Sequence, residues 1–278
     1  VRVAVLLFAI GCGGDSPSAN DLDGDQVSDD VDPCLATKAE LAADLDGDAL
    51  AGESDPCPFE AAAGDRDGDS VPDACDPFPD LAGDSHRCTM PLLDEALVAA
   101  IWTPRTNSKP WQIRDGLRTD PGSSASIVAQ PSFEQAATTT FDIRVTFAAE
   151  TTPSERYFKV WVRATDQPAR DDLGCAIAAT GGEAWRAVLF GNGFESAAVA
   201  APPIPTEARV QITIETTATA PNVRCAVTPT GGTRAVVAAP EPIALPAGQL
   251  GFGVEEAGAE ITGIGIYDRD DSPAFPGD

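Results

Sequence analysis

The chain has 278 residues, with 44 acidic against 18 basic side chains and a formal net charge of -26. Such a polyanion without a basic stripe is excluded as a nucleic-acid binder, because nothing in it displaces counterions from a phosphate backbone. The charge is lopsided: residues 13–88 hold 21 Asp or Glu against three Lys or Arg, which points to an acidic segment joined to a milder domain.

The first stretch reads VRVAVLLFAIGCGGDSPSAN. One arginine precedes an apolar run from Val3 to Ile10, too short to cross a bilayer, which takes roughly 20 apolar residues. A processing signal over residues 1–11 is the expectation, followed by a Gly/Ser/Pro-rich linker over 12–20. The stretch resembles a bacterial lipoprotein signal, although Ala9 stands where that family prefers leucine. The resemblance implies cleavage behind Gly11, lipidation of Cys12 and a membrane contact through the lipid anchor. Gly13 after the cysteine implies an outer-membrane address in a host with two membranes. An ordinary secretory signal with an incidental cysteine is the competing reading.

Three acidic segments follow: DLDGDQVSDDVDPC from Asp21, DLDGDALAGESDPC from Asp44 and DRDGDSVPDACD from Asp65. The first offers Asp21, Asp23, Asp25, Asp29 and Asp32; the third offers Asp65, Asp67, Asp69, Asp73 and Asp76 at the same offsets. The second keeps Asp44, Asp46, Asp48 and Asp55 but has Gly52 in the fourth slot. Alternating carboxylates converge only if the chain curls around a point, and Gly24, Gly47 and Gly68 permit that curl. Calcium takes six to eight hard oxygens, and this spacing supplies carboxylates plus one backbone carbonyl, from Val27, Leu50 or Val71. An EF-hand carries its glycine two places later and a glutamate at the end, so it fits poorly. A disordered acidic spacer is the other reading. Fixed offsets, a recurrent glycine and the trailing cysteines stand against it.

These segments resemble thrombospondin type 3 repeats over residues 21–84, in which D-x-D-G-D loops wrap calcium along a chain with little regular secondary structure. The resemblance implies Ca²⁺ as the bound ion and the aspartates named above as ligands, with Gly52 marking the middle repeat as the departure. It also implies a calcium-stiffened connector, taken as residues 21–88, beside a cell-envelope domain.

Apart from Cys12, six cysteines remain, an even number that favours disulfides in an exported chain. Fifteen pairings are formally possible. Cys175 with Cys225 is expected in the later domain, and Cys34–Cys57 with Cys75–Cys88 is the first choice in the acidic segment. No spacing suits zinc.

Residues 89–109 read as a linker with a short helix in MPLLDEALVAAIW. Beyond it, FDIRVTF, FKVWVRA, RVQITIE and VRCAV alternate apolar and polar residues, the period of half-buried antiparallel strands. ASIVA, GCAIAA, WRAVLF, TRAVVA, QLGFGV and ITGIGIYD extend the set, so an antiparallel β-sandwich is expected over residues 110–271, with 272–278 as a tail. From WQIRDGLRT through the WRAVLFGNG hairpin to LPAGQLGFGV and GIYDRDD, the order of strands resembles the laminin-G-like or concanavalin A-like jelly rolls. Trp161 has the opposite phase to Val160 and Val162, which puts it on the outer sheet face or beneath a further layer. Asp268, Asp270 and Asp271 are spaced either for one more ion or simply as a solvated terminus.

Catalysis has little support. A nucleophilic triad needs a base, yet the sole histidine, His86, lies in the acidic segment. No E-x-D-x-x-E strand supplies facing carboxylates for glycoside hydrolysis, and the EEAGAE cluster from Glu255 straddles a glycine turn. The expected role is an envelope protein, on the outer membrane or secreted, presenting a binding or adhesion sandwich to a glycan or another extracellular protein. A jelly-roll glycoside hydrolase and a passive structural protein are the alternatives.

Overall fold

The computed structural model describes residues 21, 44, 46–51, 55–57, 60–92, 95–105, 108–114, 116–129, 138–147, 156–164, 172–180, 184–191, 194–199, 206–215, 222–230, 233–239 and 249–269. Strand β1 (Asp84–Pro91) leads into helix α1 (Glu95–Ile101) and the short strands β2 (Trp102–Pro104), β3 (Gln112–Ile113) and β4 (Leu117–Arg118). Longer strands follow: β5 (Ser123–Ala129), β6 (Thr138–Phe147), β7 (Arg156–Ala164), β8 (Leu173–Thr180), β9 (Ala184–Gly191) and β10 (Phe194–Val199). The last five are β11 (Glu207–Glu215), β12 (Asn222–Pro229), β13 (Ala235–Ala238), β14 (Gln249–Ala257) and β15 (Ala259–Arg269).

These strands form two sheets. One runs β13-β12-β11-β6-β15-β4-β3, with β1 also paired to β15; the other runs β10-β9-β8-β7-β14-β5-β2. Their named strand pairs are antiparallel, as the expected β-sandwich requires. Alternation decides the faces. Phe141, Ile143 and Val145 of β6 meet Phe158, Val160 and Phe252 from the other sheet in one continuous core. Trp102 stacks on Phe252 with ring centroids 5.0 Å apart. Cys175 on β8 is bonded to Cys225 on β12, so the expected bridge staples one sheet to the other.

Two segments depart from the expected linker. β1 crosses the boundary placed at Cys88, and it does so because the β15 edge offers seven partners, from Asp84↔Arg269 to Pro91↔Gly263. The helix is no spacer either: its Val98 and Ile101, with the flanking Leu92 and Trp102, are buried in the sandwich core.

Trp161 sits on the outer face of the seven-stranded sheet and is nonetheless 7% exposed. Its indole lies across Gly251 and Gly253, where an added Cβ on Gly253 would fall 2.7 Å from Trp161 Cζ3. The Arg105 guanidinium, itself paired to Asp172 at 2.8 Å, covers the ring from 5.0 Å. The indole is therefore filled on both sides rather than open for stacking.

Candidate metal centre

Repeats two and three have the same local geometry, shifted by 21 residues (Asp44 to Asp65). In repeat two, Asp44 Oδ1 accepts a hydrogen bond from Gly47 N at 2.6 Å and its Oδ2 accepts one from Ala49 N at 3.0 Å. In repeat three, Asp65 accepts from Gly68 N at 2.7 Å and Ser70 N at 3.1 Å. The turn needs positive φ at Gly47 (83°) and Ala49 (74°), and again at Gly68 (82°) and Ser70 (81°). Glycine takes that conformation without strain, whereas Ala49 and Ser70 carry it at a cost. Further along, Asp46 accepts from Asp48 N, Asp48 from Leu50 N, and Asp55 from Cys57 N; Asp67, Asp69 and Asp76 accept from the equivalent Asp69, Val71 and Phe78.

Each of those last carboxylates spends one oxygen on the backbone, and the other oxygens do not share a fate. Asp48 Oδ2 accepts from Ala62 N at 3.1 Å, and Asp69 Oδ2 from Gly83 N at 3.0 Å. Asp46, Asp55, Asp67 and Asp76, the same two slots in both repeats, keep a buried Oδ2 without a hydrogen-bond partner among the described residues. A buried carboxylate oxygen with nothing to accept from is costly unless a cation faces it. Among the described residues, carboxylate oxygens come within 4.8 Å of one another in three groups of three: Asp44–Asp46–Asp48, Asp65–Asp67–Asp69 and Asp69–Asp76–Asp84. The donor set is all hard oxygen, which fits calcium.

Not every expected ligand joins a group. Asp73 accepts from Arg66 N at 2.8 Å and faces the Arg66 guanidinium at 3.6 Å. The fourth slot, which Gly52 fills in the middle repeat, is therefore spent on the backbone in repeat three. Leu50 and Val71 differ as well: the Leu50 side chain is exposed, while that of Val71 is buried against a disulfide and Tyr267. Asp23, Asp25, Val27, Asp29 and Asp32, with Cys12 and Cys34, lie outside the described residues. Asp21 is half-buried.

The disulfide of this segment joins Cys57 to Cys75, which corrects both pairings expected there. Cys75 rests with Cys57, Val71 and Tyr267 on the outer side of the eight-stranded sheet. Cys88 belongs instead to β1, where it packs into the sandwich core opposite Ile266 and is disulfide-bonded in its own right. The sheet lies between the two, so Cys75 and Cys88 do not meet.

For the described residues, that placement also departs from the free-standing connector that the resemblance implies. Residues 55–57 and 60–84 lie along the outer face of the eight-stranded sheet, with Tyr267 from β15 as their apolar anchor. Its hydroxyl donates to Pro56 O at 3.3 Å. Arg209 of β11 holds Asp142 through Nε at 2.9 and 2.8 Å and donates to the carbonyls of Ala74, at 2.6 Å, and Cys75. Arg269 of β15 donates to Leu81 O at 2.6 Å, Ala82 O at 2.7 Å and Asp84 Oδ2 at 3.2 Å. Arg144 is paired with Glu60. Basic side chains of the sandwich thus supply what the repeats lack.

Burial pushes the Asp76 carboxyl up to about 6, against a hydrogen bond from Phe78 N. Asp84 is pushed up to about 8 by burial and by the charge of Asp76, with Arg269 opposing. Asp55 is raised for the same first reason, burial. At the end of β15, Asp268 is occupied by Arg87 and by Thr139 Oγ1 at 2.9 Å. Asp270 and Asp271 fall outside the described residues.

No family model and no curated protein matches the chain. Solved structures resemble its shape. A legume lectin-like domain from Entamoeba histolytica has a TM-score of 0.48 at 8% identity, covering 63% of this chain and 93% of that one. Peanut lectin with a bound 9mer peptide scores 0.48 at 9% identity, over 67% and 97% of the two chains. An endo-1,3-beta-glucanase from Streptomyces sioyaensis scores 0.46 at 11% identity, over 67% and 97%. These are likenesses of sandwich architecture.

Proposed function

We propose that the chain is a calcium-binding envelope protein. Its acidic repeats hold calcium ions and, docked on one face of the β-sandwich, brace a domain that captures a glycan or another extracellular protein. One observation carries the cation: the same two aspartate slots in both described repeats keep a buried oxygen without a donor. Asp44, Asp46, Asp48 and Asp55 would serve repeat two, and Asp65, Asp67, Asp69 and Asp76 repeat three, with the carbonyls of Leu50 and Val71 completing each set. Asp21, Asp23, Asp25, Asp29, Asp32 and Val27 would do the same in repeat one. The ion would neutralise converging charge and lock each loop against the sheet.

An extracellular module of this type binds calcium at roughly 10⁻⁴–10⁻³ M. At 2 mM calcium each such site adds about 0.6–1.8 kcal/mol of stability. Calorimetric titration of the intact chain with calcium is expected to show at least two sites, together with a melting temperature lowered by chelator. Heat no greater than the buffer blank and an unchanged melt overturn the proposal.

The role at the envelope draws on the lipoprotein-like stretch before Cys12, and labelling of the expressed protein with a fatty-acid analogue tests it, with Cys12→Ala as control. Ligand capture belongs to the seven-stranded sheet, whose outer face lies away from the repeats and carries the half-buried Tyr157 and Phe190. A glycan array and a pull-down on outer-membrane extract read that capacity. The groups of three or more converging carboxylates among the described residues all lie at 44–84, within the acidic segment.

A further inference from the structure

Repeats two and three provide an internal comparison, because one has a carboxylate the other lacks. Ala62 N and Gly83 N donate to Asp48 Oδ2 and Asp69 Oδ2 respectively, which fixes the alignment of the two segments. The next residue is Ala63 after repeat two and Asp84 after repeat three. Asp84 lies beyond the twelve-residue motif, as the first residue of β1, with its amide donating to Asp69 Oδ2 at 2.7 Å.

We infer that Asp69, Asp76 and Asp84 form a further calcium site, shared between the third repeat and the sandwich strand β1, with Asp69 and Asp76 bridging to the loop site that they complete with Asp65 and Asp67. Their carboxylate oxygens lie within 4.8 Å of one another. Asp76 is 4% exposed, and its Oδ2 has no hydrogen-bond partner among the described residues. Asp84 is 5% exposed. Arg269, 3.2 Å from Asp84 Oδ2, offsets one negative charge, so with all three carboxylates ionised the group carries a net charge of two, which one divalent ion balances. Arg269 also grips the carbonyls of Leu81 and Ala82, which holds the loop leading to Asp84 in place whether or not the ion is there. Hard oxygens and a net charge of two suit calcium, with water filling the remaining coordination positions. In repeat two the corresponding trio would be Asp48, Asp55 and Ala63, one ligand short.

This inference rests on the calcium reading of the repeats, and stoichiometry separates the two. Equilibrium dialysis of the full chain against ⁴⁵Ca²⁺ counts bound ions at saturation. Asp84→Asn, nearly isosteric and still able to face Arg269, is expected to release one ion per chain and leave the rest. Ala63→Asp, which supplies the missing carboxylate beside Asp48 and Asp55, is expected to add one. Asp67→Asn, in the loop site, serves as the control for the repeats themselves. An unchanged count in Asp84→Asn overturns the inference while leaving the repeats as calcium sites. No bound calcium in the wild type overturns both. Should Asp84→Asn lose its near-ultraviolet circular dichroism, Ala63→Asp decides alone, and a count equal to wild type there overturns the inference.

Discussion

Replacing Arg209 by methionine removes the guanidinium that joins the repeats to the sheet while keeping most of the side-chain volume. Its partner Asp142 has a side chain 9% exposed, and the Arg209 side chain is 18% exposed, so water reaches the pair poorly. The substitution leaves a buried carboxylate without its cation and takes the donors from the Ala74 and Cys75 carbonyls. Breaking a buried pair from one side costs about 3–5 kcal/mol, most of it the uncompensated charge. For a domain of this size each kcal/mol lowers the melting temperature by about 2–4 °C, so a drop of roughly 6–20 °C is expected. Urea denaturation at fixed calcium, followed by tryptophan fluorescence, measures the free energy. Adding Asp142→Leu removes the orphaned charge and is expected to recover most of the loss. If Arg209→Met costs under about 1 kcal/mol, or if the double variant is no more stable than the single, the ion pair is not buried in the sense described here.

Gly253→Ala puts a Cβ into the Trp161 ring, 2.7 Å from Cζ3, and should cost about 1–3 kcal/mol by overpacking; Trp161→Leu in the same chain should relieve it, as read by thermal melts. Peptide mapping of unreduced protein should yield Cys57 linked to Cys75 and Cys175 linked to Cys225, with no Cys34–Cys57 or Cys75–Cys88 fragment. Replacing Cys175 and Cys225 by alanine together should lower stability by up to about 4 kcal/mol in the chain-entropy model, read by urea denaturation. Of the two tyrosines, Tyr267 should resist ionisation in native protein, since burial first, then the Asp142 charge, pushes its phenol far above the usual value. Unfolded chain releases that proton near pH 10 and folded chain holds it, so stability should fall as pH rises past about 10. Absorbance at 295 nm should therefore show the Tyr267 phenol ionising only as the protein unfolds.

The sandwich was legible because its faces alternate: Phe141, Ile143, Val145 and Phe147 announce β6, and each of the long strands from β5 onward, apart from β10, carries a comparable signal. β1 was not, since DSHRCTMP has no such period and becomes a strand through the β15 edge. The convergence of Asp44, Asp46 and Asp48, and of Asp65, Asp67 and Asp69, was legible from spacing alone. Their docking was not. Tyr267, Arg209 and Arg269 are separated by more than a hundred residues from the repeats they hold, and nothing local to DxDGD names a distant arginine. The disulfide followed the docking, so pairing neighbours along the chain misplaced it. Asp84 escaped notice for a related reason: it falls outside the motif and joins Asp69 and Asp76 only once the chain has turned into β1.

The antiparallel pairing of β1 with β15 sets how this molecule would respond to tension. Asp84 faces Arg269 at the same end of the ladder, so a load applied between those two residues peels the strands apart one rung at a time instead of sliding them past each other. The opening rung is the one where Arg269 also clasps the Leu81 and Ala82 carbonyls. Resistance to pulling is thereby concentrated in that single clasp, and a tethered copy strained in this direction would yield there before the sandwich core felt the force.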